Sequence, residues 1–307
     1  MALDTVLFVS VLPRIVCIVG PTSSGKTALS FEVAKKFNGE IINADARQIY
    51  RRFVIGTGQP TLEEQQGIPH HLFGFLGPER TYSVAEWKQA ALERIQAITG
   101  RGKLPVLVGG TGLYIQSLVD NFEPPAVEPQ PALRAELQAL SHEALIQRLE
   151  EEDADAVTWI DLKNRRRVER ALEVVLVTGK SFKDQRLQGE PLVEAILLGV
   201  QRSSDELRER INRSIDQMIA LGWKEEVKQL HASGIPWDAP AMTSIGYREL
   251  GLVVRGELDG ATAIERIRFA TWQYAKRQIT WFKRDERIEW CTTKDEACEL
   301  VTEFRGE

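Results

Sequence analysis

Hydrophobic positions in the first 120 residues fall into short unbroken runs separated by longer stretches with helical spacing. Arg14-Ile15-Val16-Cys17-Ile18-Val19 is a β-branched run of strand length, and from Ala28 to Phe37 apolar residues recur with a helical period. Glu40-Ile41-Ile42-Asn43-Ala44 predicts a second strand, ending at Asp45, and Leu104-Pro105-Val106-Leu107-Val108 a third. Between them, Ser83 to Thr99 predicts a helix with Ser83 as N-cap, Glu86 completing a capping box, and Gly100 to Gly102 stopping it. Strands without alternation are buried on both faces, which predicts a parallel sheet flanked by helices. The pattern changes at Pro124-Pro125 through Pro131. From Ala132 to about Gly179 it is helical, Val193 to Val200 returns to a buried strand, and from Asp205 onward it is mostly helical with breaks at Gly234-Ile235-Pro236 and Gly246. The expected organisation is an α/β core formed by 1–123 and 191–307, with a helical insertion over 124–190 and a helical C-terminal region. No internal repeat or low-complexity tract is present.

Composition narrows this picture only slightly. With 307 residues, 43% of them hydrophobic, the chain can bury a large core. A net charge of −5 gives no global case for nucleic acid, so any basic surface must be local. Three cysteines (Cys17, Cys291, Cys298) are too few for a disulfide framework, and a reduced, cytoplasmic protein is the expectation. The apolar segment Thr5 to Pro13 is too short to span a bilayer and lacks the basic start of a signal peptide; a strand or a loose leader is expected, with no membrane association.

Chemistry enters with residues 20 to 27. Gly20-Pro21-Thr22-Ser23-Ser24-Gly25-Lys26-Thr27 satisfies G-x-x-x-x-G-K-[ST] without mismatch, and it lies between a predicted strand and a predicted helix. Glycines let successive N–H groups face one concavity, the helix N-terminus adds positive potential, Lys26 adds a full charge, and the Thr27 hydroxyl suits Mg²⁺. A di- or triphosphate ligand and a P-loop NTPase-like sheet follow as expectations.

The neighbouring strand ends decide what the loop is for. NTP hydrolysis usually needs a second acid at a strand end to hold Mg²⁺. Here the strand Leu104–Val108 ends in Gly109-Gly110-Thr111-Gly112, and the one acid at a strand end is Asp45, available as metal ligand or general base. Ligands of parallel sheets bind beyond the carboxyl ends of the strands, so the loop, Asp45 and Thr111 are expected on one rim. Two basic stretches stand apart from this. Lys163-Asn164-Arg165-Arg166-Arg167-Val168-Glu169-Arg170 carries five positive charges, with Arg166 and Arg170, and Lys163 and Arg167, sharing faces by helical spacing. Arg266, Arg268, Lys276, Arg277, Lys283 and Arg284 are interleaved with Trp272, Tyr274, Trp281 and Phe282. Basic side chains contact phosphates and aromatics stack on unpaired bases.

The ordered series Gly20 to Thr27, Asp45-Ala46-Arg47-Gln48-Ile49-Tyr50, Gly56-Thr57, Pro69-His70-His71-Leu72, Gly109 to Tyr114, Arg167 to Glu173, Ile245-Gly246-Tyr247-Arg248 and Ala275 to Phe282 closely resembles the bacterial tRNA dimethylallyltransferase family. The resemblance runs from about Arg14 to Trp290. It implies transfer of a dimethylallyl group from dimethylallyl diphosphate to N6 of the adenosine 3′ to the anticodon (position 37), by a cytoplasmic monomer using Mg²⁺. It also implies roles. Asp45 is the general base, Thr111 the hydroxyl at the reacting centre, Gly20 to Thr27 the diphosphate cradle with Thr27 toward Mg²⁺, and Arg213 the arginine on the leaving group. The tRNA anticodon stem-loop would be gripped by Asp45, Ala46, Arg47, Gln48, Thr111, Arg134, Arg166, Arg167, Arg170, Thr243, Gly246, Tyr247, Arg248, Lys276, Arg277 and Gln278.

Two positions depart from the family pattern. Ala46 stands where the family usually has Ser, and Ser214 where it often has a second basic residue, with Arg210 as the alternative to Arg213. Other readings of the same loop are an adenylate isopentenyltransferase with a free nucleotide as acceptor, and a P-loop nucleotide kinase. The 124–190 insertion and the basic, aromatic C-terminal stretch favour tRNA.

Overall fold

The computed structural model describes residues 12–123, 125, 127–184 and 187–306. Most of the apolar segment Thr5 to Pro13 and the start of the composition break at Pro124 lie outside the described residues. The chain divides into two compact units, one formed by residues up to Val119 together with those from Pro191, the other by Asp120–Glu190.

The first unit is built on a six-stranded sheet. Its strands are β1 (Arg14–Val19), β2 (Gly39–Asn43), β3 (His70–His71), β4 (Leu104–Gly109), β7 (Glu194–Val200) and β8 (Ile288–Cys291), in the order β3-β2-β4-β1-β7-β8. All neighbours pair in parallel, with Val16 opposite both Val106 and Ile196, Ile42 opposite Leu107, and Leu198 opposite Glu289. Alternate residues of β1 face opposite layers. Ile15, Cys17 and Val19 pack with Trp87, Ala91 and Ile95 of α2 (Val84–Gly100) and with Tyr114 and Ile115 of α3 (Gly112–Val119). Val16 and Ile18 pack with Leu29 and Val33 of α1 (Lys26–Lys36) and with Ala297 and Val301 of α12 (Lys294–Arg305). Burial on both faces is why β1 shows no polar alternation. The predicted capping box of α2 is present, Ser83 and Glu86 exchanging side-chain and backbone bonds. A second core joins α8 (Ser204–Ala220), α9 (Trp223–Ala232), α10 (Tyr247–Val254) and α11 (Gly260–Phe282) to Ile49, Tyr50 and Phe53. Within the mostly helical C-terminal region, the short β8 forms an edge of the sheet.

The second unit contains α4 (Pro131–Ala139), α5 (His142–Glu152), α6 (Ala154–Trp159) and α7 (Arg165–Thr178), and a short antiparallel pair, β5 (Phe122–Glu123) with β6 (Leu187–Gln188). The helices share a core of Leu137, Leu145, Leu149, Val168 and Leu172. Glycine at the left-handed C-cap, Gly179, ends α7.

Candidate active site

Because β1, β2 and β4 run in parallel, their carboxyl ends share one edge. The chain leaves β1 into the glycine loop, β2 into Asp45 and β4 into Thr111. At Gly25 φ is +102°, a conformation open to glycine and strained for other residues. The amides of Gly25, Lys26 and Thr27 at the start of α1 carry no hydrogen bond among the described residues, as a helix N-terminus leaves them. The Lys26 ammonium donates to Pro21 O at 2.7 Å. Burial lowers the Lys26 pKa to about 8, against the opposing pull of the Asp45 charge. Ser24 is fully buried and its hydroxyl has no partner among the described residues.

Asp45 is fixed through its backbone. Its N–H donates to Asn43 Oδ1 at 2.9 Å, and Asn43 Nδ2 donates to Asp45 O and Leu72 O. The Asp45 carboxylate accepts the Arg47 N–H at 2.8 Å, which leaves its second oxygen available. Thr111 Oγ1 accepts the Ala46 N–H at 2.9 Å, and Thr111 N donates to Ala44 O, so the ends of β2 and β4 are tied together. The Tyr274 phenol lies against the Thr111 hydroxyl, and burial together with the Asp45 charge raises its pKa. The glycines around Thr111 make this closeness possible. A Cβ on Gly110 would stand 2.1 Å from Gln278 Nε2, and one on Gly112 would stand 2.2 Å from the Trp281 ring.

Several residues expected to touch nucleic acid have internal hydrogen-bond partners. Gln278 is buried: its Oε1 accepts the Thr22 N–H and its Nε2 donates to Gly110 O, both at 2.8 Å. Tyr247 is also buried, donating to Glu226 and accepting the Gly56 N–H. Gly246 is a packing position, since a Cβ there would meet Trp223 at 2.0 Å. Arg134 and Arg170 both bond the buried Glu173, and Arg170 also caps Pro125 O and Val127 O. Lys163 precedes α7, so its helical pairing with Arg167 does not arise. Gln48 donates to Thr57 O and Gly58 O, Arg47 to Pro240 O, Thr243 to Pro240 O, and Arg248 to Glu249. Arg166, Arg167 and Lys276 are exposed without side-chain partners among the described residues, and exposed Arg277 lies over Tyr274.

The aromatic interleaving of α11 is mostly packing. Phe282 is buried, Trp281 covers Gly112, and Trp272 lies under Arg208. The exposed aromatic of this helix is Phe269, at 67%, which spacing alone did not single out.

Of the two arginines considered for the leaving group, Arg210 is the one that reaches the loop. Arg213 is exposed, with no side-chain partner among the described residues. Arg210 Nε donates to Ser23 O at 2.9 Å, and Arg202 Nε to Ser24 O at 3.2 Å. Arg202 follows β7, the strand beside β1, so extending the strand-end rule to one more strand would have found it.

His70 and His71 lie outside this edge chemistry. His71 bonds the buried Glu40, which Arg101 and Lys103 also hold, at the amino end of β2. Burial opposes ionisation there, but these hydrogen bonds prevail and lower the Glu40 pKa to about 2. No group of three or more His, Cys, Asp or Glu side chains is placed to hold a metal among the described residues. No described helix is long and apolar enough to cross a membrane.

A glycine loop between the central strand and its helix, on the carboxyl edge of a parallel sheet, defines a phosphate-loop α/β protein. The pattern of the family described as IPP transferase matches residues 48–285, and that described as isopentenyl transferase matches residues 13–72. The chain belongs to the IPP transferase family. It is 42% identical over 280 residues to a tRNA dimethylallyltransferase of Thermomicrobium roseum, covering 90% of this chain and 85% of that one. Among solved structures, the full-length tRNA isopentenylpyrophosphate transferase of Bacillus halodurans is 35% identical, with a TM-score of 0.72 and 96% of each chain covered. A eukaryotic dimethylallyltransferase acting on tRNA is 27% identical, with a TM-score of 0.79 over 95% of this chain and 79% of that one.

Proposed function

We propose that this chain transfers the dimethylallyl group of dimethylallyl diphosphate to N6 of the adenosine 3′ to a tRNA anticodon, releasing diphosphate. The observation that carries the reading is the tie between Thr111 and Ala46, which sets the Asp45 strand end beside the Gly-Gly-Thr turn on the loop's edge. The loop then holds a leaving group, and the carbon chain is what moves.

The exocyclic amine of adenine is a poor nucleophile because its lone pair is delocalised. Asp45 takes its proton as the new C–N bond forms; base catalysis of this kind contributes about 10²–10⁴-fold. The C–O bond to diphosphate breaks, and its electron pair leaves with the diphosphate. Lys26, Arg210 and the amides of Gly25, Lys26 and Thr27 face that developing charge. Thr27 Oγ1, exposed and without a hydrogen bond among the described residues, fits the single hydroxyl ligand that Mg²⁺ takes in such loops, and Mg²⁺ would supply further charge neutralisation when bound. The target base must leave its stack to reach Asp45, as in enzymes that act on flipped bases. Arg166, Arg167, Lys276 and Arg277, exposed and cationic, are assigned to the RNA backbone.

Incubation with labelled dimethylallyl diphosphate and either anticodon stem-loop RNA or AMP tests this. Label in RNA supports the reading; label in AMP alone, or NTP turnover without transfer, overturns it. The accompanying monomeric state is checked by light scattering.

A further inference from the structure

Arg202 lies outside every motif that carries the family resemblance, yet its guanidinium reaches the glycine loop. It stands just before the N-cap of α8, with Nε on Ser24 O at 3.2 Å and Nη1 on Thr292 O at 3.2 Å. Two turns along the same face, Arg210 Nε holds Ser23 O. Between them stands Glu206, whose Oε1 lies 3.3 Å from Arg202 Nε and 3.8 Å from Arg210 Nη1. The spare Nη2 atoms of both arginines converge on one point. They lie 3.3 Å (Arg210) and 3.9 Å (Arg202) from the position a Cβ on Gly25 would take. Ser24, which carries one of the two held carbonyls and precedes Gly25, has a buried hydroxyl with no partner among the described residues.

We propose that Arg202 is a second leaving-group arginine, acting with Arg210 on the diphosphate, and that Glu206 is a positioning residue that keeps both guanidiniums over the loop. This rests on the transferase reading above. By grasping the Ser23 and Ser24 carbonyls, the arginines orient those peptide units while keeping free N–H groups for an anion. Phosphate is bound by such forks more tightly than by a point charge. Glu206 gives the two like charges a shared counter-ion, so they do not repel each other out of position. It lies near the point of diphosphate binding, so on charge alone it weakens binding; its positioning effect works in the opposite direction.

Calorimetric titration of the full chain with inorganic diphosphate and Mg²⁺ separates these effects without requiring tRNA. Arg202→Gln is expected to raise the diphosphate Kd by about tenfold or more, the loss of a charge-assisted bond, and Arg202→Lys to recover only part of it. Both should unfold at nearly the wild-type temperature. Glu206→Gln is expected to weaken diphosphate binding severalfold although it removes a negative charge. Unchanged Kd in folded Arg202→Gln, or full recovery by Lys, overturns the role of Arg202. Unchanged or tighter binding by Glu206→Gln overturns the positioning role. Failure of the wild-type chain to bind diphosphate would refute the transferase reading itself.

Discussion

Gln278 is joined to Thr22 by a hydrogen bond that spans the chain: Oε1 of the helix residue accepts the loop N–H at 2.8 Å. Its other end donates to Gly110 O. One amide side chain thus couples the phosphate loop to the turn that carries Thr111, and it takes the Thr22 N–H out of the set of donors open to an anion. The amides of Gly25, Lys26 and Thr27 at the start of α1 carry no such internal bond among the described residues.

Gln278→Ala should remove this coupling and leave the Thr22 N–H and Gly110 O without partners. Each unsatisfied buried group costs about 1–3 kcal/mol. The expected result is a lower unfolding temperature together with a raised KM for dimethylallyl diphosphate, read by thermal denaturation and steady-state kinetics. A residue that only contacted tRNA would change the KM for RNA and leave the unfolding temperature in place.

Asp45→Ala should lower kcat by about 10²–10⁴-fold, the usual range for a lost general base, with the Kd for anticodon stem-loop RNA close to wild type. The backbone bonds that hold this strand end come from Asn43 and do not need the carboxylate. Filter binding and single-turnover transfer check the two halves separately. Retained transfer would exclude Asp45 as the base.

The parallel core and its ligand edge were legible because strands buried on both faces leave unbroken apolar runs, and because the loop fixes one strand and one helix at once. Residues Arg14–Val19 appear as β1 with the bounds the pattern predicts. Other features were not legible for physical reasons. Strand β8 has only Ile288 and Cys291 buried, too short a pattern to distinguish from helix ends. The roles of Arg134 and Arg170 depend on Glu173, a carboxylate that sequence spacing cannot show to be buried. Gly246 and Tyr247 belong to a recognisable motif, yet one makes room for Trp223 and the other caps Glu226; a motif marks a required position without saying what it touches.

Gly246→Ala should destabilise the first unit strongly. The φ of Gly246 is +89°, and the added methyl would meet the Trp223 ring at 2.0 Å. Overpacking alone typically costs about 1–3 kcal/mol, and backbone strain adds to it. Urea unfolding followed by tryptophan fluorescence should show the midpoint fall. An unchanged midpoint would mean that the ring shifts freely, contrary to its burial between Gly56 and Gly246.

Glu173 should make the second unit sensitive to acid. Burial alone would raise its pKa, but the bonds from Arg134, the Gln130 N–H and Arg170 outweigh this and hold it at about 2, against an ordinary 4.5. Because the folded value is depressed, its contribution is fully present above about pH 4.5 and is lost as pH falls through the folded value. The shift corresponds to about 3 kcal/mol. Glu173→Gln should lose most of that stability at neutral pH and flatten the acid limb of a denaturation profile taken between pH 6 and pH 2.

Lys26 should set an alkaline limit on catalysis. Burial lowers its pKa to about 8 in the free protein, with Asp45 opposing the shift. Only the protonated ammonium attracts diphosphate, so kcat/KM for dimethylallyl diphosphate should be flat below pH 7 and fall about tenfold per pH unit well above pH 8. Bound diphosphate stabilises the ammonium, so the same limb in kcat should move to higher pH. Lys26→Met should abolish the limb in kcat/KM and lower its plateau. A limb that persists in Lys26→Met would assign the titration to another group.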